Sequence, residues 1–109
     1  MKNAEIAASF DRIADALEIK GESGFKVQAY RKAARVLADM TEDVARVAAD
    51  GRLESVPGIG SGIARKIAEY LETGSMARLR EALSVVPAGL LELLEIPGVG
   101  GKTVHLIHE

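Results

Sequence analysis

The chain has 109 residues, with 14 lysines and arginines against 16 aspartates and glutamates, a formal net charge of -2, and no cysteine. That length suits one compact domain or two small subdomains sharing a core, and the missing thiols exclude disulfides and cysteine-based zinc sites. No apolar run approaches the roughly 20 residues that cross a bilayer and no signal-peptide pattern opens the chain, which reads as soluble and cytoplasmic. Hydrophobic residues make up 48% of it but aromatics only 4%, so much of the apolar content is alanine and favours close-packed helices over a sheet. In chain order, Asn3 is placed to cap a first helix in which Ile6, Phe10, Ile13 and Leu17 recur at helical spacing, widened by Ala7 and Ala14. Gly21 and Gly24 break that pattern. A second helix is expected over residues 25–39, with Phe25, Ala29, Ala33, Val36 and Leu37 inward and Lys26, Arg31, Lys32 and Arg35 on the other face. That face is the most basic surface in the sequence. Thr41, followed by Glu42 and Asp43, reads as the cap of a third helix that Gly51 stops.

Residues 52–56 form a short helix leading into the stretch around which the chain is organised, VPGIGSGIARKI at 56–67. Ser61 reads as the cap of a helix running to about Thr73, closed by Gly74. Ser75 caps another with Met76, Leu79 and Leu83 inward, and Pro87 opens a last short apolar helix, GLLELLEI. A second stretch, IPGVGGKTVHLI at 96–107, lies forty residues after the first and matches Pro57, Gly58 and Gly60 with Pro97, Gly98 and Gly100. Its final helix is cut off at Glu109, which suggests a fragment. No segment alternates with a strand period, so the expected fold is all-α. In each copy proline fixes one φ angle and glycine takes the positive φ of a tight reversal, and the amides opening the next helix are left for an anion.

The two Pro-Gly-apolar-Gly turns resemble the helix-hairpin-helix motif, which binds the phosphate backbone of DNA without reading bases. The physics agrees, because peptide N–H groups and a helix dipole hold phosphate and carry no sequence information. The resemblance implies phosphate contacts at Gly58, Gly60, Gly62 and Arg65 in the first copy and at Gly98, Gly100, Gly101 and Lys102 in the second. It also implies a Na+ or K+ ion held by the carbonyls of Glu54, Val56 and Ile59, and of Leu94, Ile96 and Val99.

The blocks FKVQAYRKAARVL, VPGIGSGIARKIAEYLETG and IPGVGGKT, in that order and spacing, resemble the amino-terminal region of family X DNA polymerases over nearly the whole chain. The resemblance implies a lyase-type domain over 1–84, the start of a fingers-like subdomain over 85–109, and a bacterial nucleoid-associated protein. The partner it implies is gapped or nicked DNA, or a single-strand/double-strand junction, held on its 5′-phosphate side by a monomer. In some members the domain removes a 5′-deoxyribose phosphate through a Schiff-base lysine. Lys66 stands at that nucleophile position. Lys26 and Tyr30 match residues lining the 5′-phosphate pocket, and Arg78 matches a further basic contact. Two departures thin the pocket: Gly62 stands where polymerase beta has a lysine, and Phe25 where it has a histidine.

On a wheel of 100° per residue, Ile63, Ala64, Ile67, Tyr70 and Leu71 share a face and Lys66 lies at its margin beside Tyr70, a position from which a lysine also simply snorkels. His105 and His108 lack a third ligand and make a poor zinc site. Polymerase chemistry needs clustered carboxylates holding Mg2+; the acids here sit on helix starts and solvent faces. A non-catalytic DNA-binding or protein-docking helical module stays open as the alternative.

Overall fold

The computed structural model describes residues 1–84, so the second hairpin and both histidines lie outside the described residues. Helix α1 spans Asn3–Lys20, α2 Gly24–Asp39, α3 Val44–Ala49, α4 Ser61–Thr73 and α5 Ala77–Ser84, with a 3₁₀ turn at Leu53–Ser55. The described residues contain no strand and no helix long and apolar enough to cross a membrane. The fold is all-α, as the periodicity requires.

Helix α1 is the axis of the core. Ile6, Phe10, Ile13 and Leu17 are completely buried, together with Ala14, because apolar residues at i, i+4, i+7 and i+11 share one helical stripe. That stripe packs against α2 and α5. Gly21, at φ 79°, reverses the chain after α1, and the Glu22 N–H donates to the Leu17 carbonyl at 3.0 Å. The reversal is short, so α2 folds straight back along α1.

The rotation of α2 differs from the expected one. Val27, Ala33, Ala34 and Leu37 are its buried residues, with Tyr30 packed against them, whereas Phe25 is 89% exposed and Ala29 is exposed too. Val27 and Phe25 lie about 200° apart on a wheel, so burying one turns the other outward. The Tyr30 ring fixes this phase by packing on Phe10, with centroids 5.9 Å apart.

The expected caps of α1 and α3 differ as well. Asn3 is the first residue of α1 and not its cap; its buried side chain reaches across the fold to the start of α3. There Oδ1 accepts from the Val44 N–H at 3.0 Å and Nδ2 donates to the Glu42 carbonyl at 2.9 Å. Asp43, in place of Thr41, caps α3 by accepting from the Ala45 N–H at 3.0 Å. The α5 start is served from α4, where the Glu69 carboxylate accepts the Ala77 N–H at 3.0 Å. Every buried side-chain polar atom among the described residues has a partner.

Candidate functional site

The site begins with the reversal at Val56-Pro57-Gly58-Ile59. The Ile59 N–H donates to the Val56 carbonyl at 3.0 Å, and Gly58 has φ 94°. Proline at the second position and a positive-φ glycine at the third make a type II turn, in which only glycine sits without strain. Gly58 is also the point of closest approach to α2. A Cβ there would lie 2.8 Å from Val36 Cγ2 and 3.5 Å from Lys32 Cε. The turn therefore rests on α2, with the Lys32 stem alongside it, and Ile59 plugs into the core beneath.

Helix α4 starts one residue earlier than expected. Gly60, with φ -84° and ψ 179°, is the cap residue and Ser61 already belongs to the helix, so no side chain caps α4. The Gly60 carbonyl accepts from the Ala64 N–H at 2.9 Å. The first-turn N–H groups of Ser61, Gly62 and Ile63 thus have neither an intrahelical acceptor nor a capping oxygen. A Cβ on Gly60 or Gly62 would meet nothing within 4 Å, so both glycines leave open space above those amides.

A cleft of about 340 Å³ lies over this helix start, lined by Phe25, Lys26, Ala29 and Tyr30 from α2 and by Gly60, Gly62, Ile63 and Lys66 from the hairpin. The first turns of α2 and α4 both face it, which brings two positive helix ends to one place. They are not equivalent: the Ser23 Oγ accepts the Lys26 N–H at 3.4 Å, so α2 has an internal cap where α4 has none. The Lys26 ammonium lies 3.7 Å from Glu22 and is well exposed. Lys66 is half-buried, its Nζ 5.9 Å from the Tyr30 ring centroid and 3.4 Å from the Gly62 carbonyl, to which it donates. Its aromatic neighbour is Tyr30 and not Tyr70, whose hydroxyl instead donates to Glu5 at 2.9 Å and joins α4 to α1. The cleft thus offers amide donors, two ammonium groups and an aromatic wall within one small space.

The other expected basic residues are dispersed. Arg65 lies on the opposite flank of α4, in a second cleft of about 300 Å³ shared with Gly51, Glu54 and Ser61. Lys32 and Arg35 are exposed on α2. Arg78 is on α5, its Nη1 3.3 Å from Glu81, and does not line the cleft over Lys66.

Arg31 departs from the expected basic face altogether. Its side chain is 26% exposed and is engaged with α1: Nη2 lies 2.7 Å from Asp15 Oδ1 and 2.5 Å from Glu18 Oε1, and Nη1 lies 3.6 Å from Asp11. Burial works against its charge, yet the hydrogen bonds it donates to Glu18 and Asp15 hold the guanidinium above its ordinary pKa. Burial pushes the Asp11 carboxyl up, and Arg31 offsets only part of that. Arg31 lies five positions after Lys26, about 140° around the helix, which turns it to the α1 side.

Sequence reasoning missed two features of the site. The convergence of two helix starts depends on how α2 and α4 cross, which no local pattern states. The exposure of Phe25 follows from the phase of α2, which Tyr30 packing on Phe10 sets and no residue within α2 alone announces.

Comparison with known proteins bears on this geometry. Residues 1–76 match a helix-hairpin-helix domain, and residues 50–109 match a SAM-like helix-hairpin-helix tandem. The whole chain is 35% identical, over 109 residues, to the amino-terminal part of the DNA polymerase/3′-5′ exonuclease PolX of Bacillus subtilis (strain 168). It spans 19% of that relative's length.

Proposed function

We infer function from one premise: the chain belongs to the helix-hairpin-helix family. Its role is to hold the phosphate backbone of DNA without regard to sequence, as the amino-terminal part of a family X polymerase. The observation that carries this reading is the uncapped start of α4, whose free amides open onto the same cleft as Lys26 and Lys66. Amides and a helix dipole bind any phosphate alike, and the two ammonium groups add long-range attraction. A terminal 5′-phosphate, as in gapped or nicked DNA, suits a site with this much positive potential in so small a volume. The protein acts as a monomer in the cytoplasm.

A hydrated Na+ or K+ ion fits the hairpin as a bridge to a further phosphate. The Val56 carbonyl, which already accepts from Ile59, keeps a second lone pair for it beside the carbonyls of Glu54 and Ile59. The corresponding carbonyls of Leu94, Ile96 and Val99 would serve the second hairpin. Among the described residues no group of three histidines or carboxylates could hold a divalent metal, and Mg2+ belongs to the polymerase part of the relative's kind of chain.

The cleft also suits 5′-deoxyribose-phosphate lyase chemistry. The Lys66 Nζ lone pair attacks the C1′ aldehyde of the opened sugar, and water leaves to give a Schiff base. Water takes a C2′ proton, and the freed electron pair forms the C2′=C3′ double bond as the C3′–O bond breaks. The departing strand keeps its 5′-phosphate, and hydrolysis of the remaining unsaturated Schiff base returns Lys66. Tyr30, beneath the Lys66 ammonium, positions the amine. With an incised abasic duplex, borohydride is expected to trap a covalent adduct on the wild-type chain and none on Lys66→Ala, with both proteins showing the same helical circular dichroism. An adduct of equal yield on Lys66→Ala, or none on the wild type, would reject the lyase step while leaving the binding role standing.

A further inference from the structure

We propose that Glu22 is a resident counter-anion of the cleft. It keeps Lys26 occupied until a terminal phosphate displaces it, and so limits how tightly that phosphate is held. This rests on the phosphate-binding reading above and assigns to the same site a built-in restraint on its affinity.

The carboxylate is placed by the turn between α1 and α2. The Glu22 N–H donates to the Leu17 carbonyl at 3.0 Å, which ties the residue to the end of α1, and Ser23 beside it caps α2. Its two oxygens face two lysines: Oε1 lies 3.5 Å from Lys20 Nζ, and Oε2 lies 3.7 Å from Lys26 Nζ. The Glu22 side chain is 30% exposed against 60% for Lys26, so the acid is the fixed partner and the lysine the one free to swing. Of the two lysines lining the cleft, Lys66 is turned to the Tyr30 ring and the Gly62 carbonyl, whereas Lys26 is paired with a carboxylate.

A carboxylate carries one negative charge. A terminal phosphate carries about 1.5 to 2, with three acceptor oxygens, so it takes the ammonium from Glu22. Lysine swings on a flexible four-carbon stem, and the exchange needs no backbone movement. It has two costs: the pair with Glu22 is given up, and the bared carboxylate then faces the phosphate as a like charge. When the DNA end leaves, Glu22 takes Lys26 back, so release strands no unpaired ammonium. The cleft is thus set to hand on a DNA end as well as to hold one.

The test measures the affinity of the full chain for a gapped duplex carrying either a 5′-phosphate or a 5′-hydroxyl at the gap, at about 0.1 M salt. Glu22→Gln is expected to bind the phosphorylated duplex about threefold to tenfold more tightly than wild type, and the hydroxyl duplex within about twofold of it. Glu72→Gln removes the same charge from an exposed position lining a separate cleft, and is expected to leave both affinities unchanged. In a Lys26→Met background, Glu22→Gln is expected to lose most of its gain, because the two residues act as a pair. Exposed pairs add little to stability, so Glu22→Gln should melt at the wild-type temperature. An equal gain on both duplexes or from Glu72→Gln means a general charge effect, and overturns this inference while sparing the phosphate reading. So does a gain that persists in full without Lys26. A lowered melting temperature with unchanged or weakened binding makes Glu22 a structural residue, and also overturns it. No salt-dependent binding by the wild type overturns both.

Discussion

Gly58→Val is expected to lower the unfolding free energy by about 3 kcal/mol and to weaken binding to every DNA sequence alike. Two costs add. The residue sits at φ 94°, where a β-branched side chain is strained, a penalty of about 1–2 kcal/mol. Its Cβ would also stand 2.8 Å from Val36 Cγ2, within a packed contact between the turn and α2. Forcing extra carbon into such a contact costs about 1–3 kcal/mol. The relief is for the turn to lift off α2, and Gly60 and the α4 amides move with it. Urea denaturation and DNA titration on the same protein check both effects. A variant of wild-type stability would mean that the turn does not rest on Val36, and a selective loss on one DNA sequence would contradict backbone contact.

Arg31→Ala is expected to cost about 2 kcal/mol of stability and to leave the salt dependence of DNA binding unchanged. The guanidinium is the common partner of three carboxylates spaced along α1, at Asp11, Asp15 and Glu18. Removing it leaves like charges at i, i+3 and i+4 intervals beside a partly desolvated surface. Breaking a fully buried network of this kind costs about 3–5 kcal/mol, and the partial exposure here brings the figure down. The measurement is a urea midpoint for the variant, with the slope of log affinity against log salt compared at temperatures where both chains are folded. A shallower slope by one contact, with no loss of stability, would return Arg31 to the DNA-facing set.

Arg31 also shows where the sequence stops being informative. Lys26, Arg31, Lys32 and Arg35 with no acid among them read as one basic face, because the acids that neutralise Arg31 are 13 to 20 residues earlier, on another helix. The α1 stripe, the glycine reversals and the hairpin were legible because each depends on residues within a turn or two of one another. The phase of α2 was not, since alanine supplies little contrast and the choice between Phe25 and Val27 is made by Tyr30 packing on Phe10. Asn3 looked like a local cap and serves instead a helix 41 residues away. Lys66 was correctly placed at the edge of the α4 apolar face, but its neighbour Tyr30 comes from α2 and no wheel could supply it. The start of α4 turned on a single residue: Ser61 has the better cap chemistry, yet the chain uses Gly60, and that choice leaves the amides open.

That choice is also where the account can be tested most directly. Gly60 has φ -84°, which any residue adopts, and a Cβ there would meet nothing within 4 Å, so Gly60→Asp fits without strain. An aspartate at the cap accepts from the first-turn amides and complements the helix dipole, which adds about 1 kcal/mol of stability. The same carboxylate occupies the donors assigned to phosphate and repels it. The decisive measurement is the affinity of Gly60→Asp for a 5′-phosphorylated gapped duplex at about 0.1 M salt, alongside its melting temperature. A higher melting temperature with binding weakened roughly tenfold to a hundredfold is the predicted result. A stabilised variant that binds as tightly as the wild type would show that the α4 amides do not hold the phosphate.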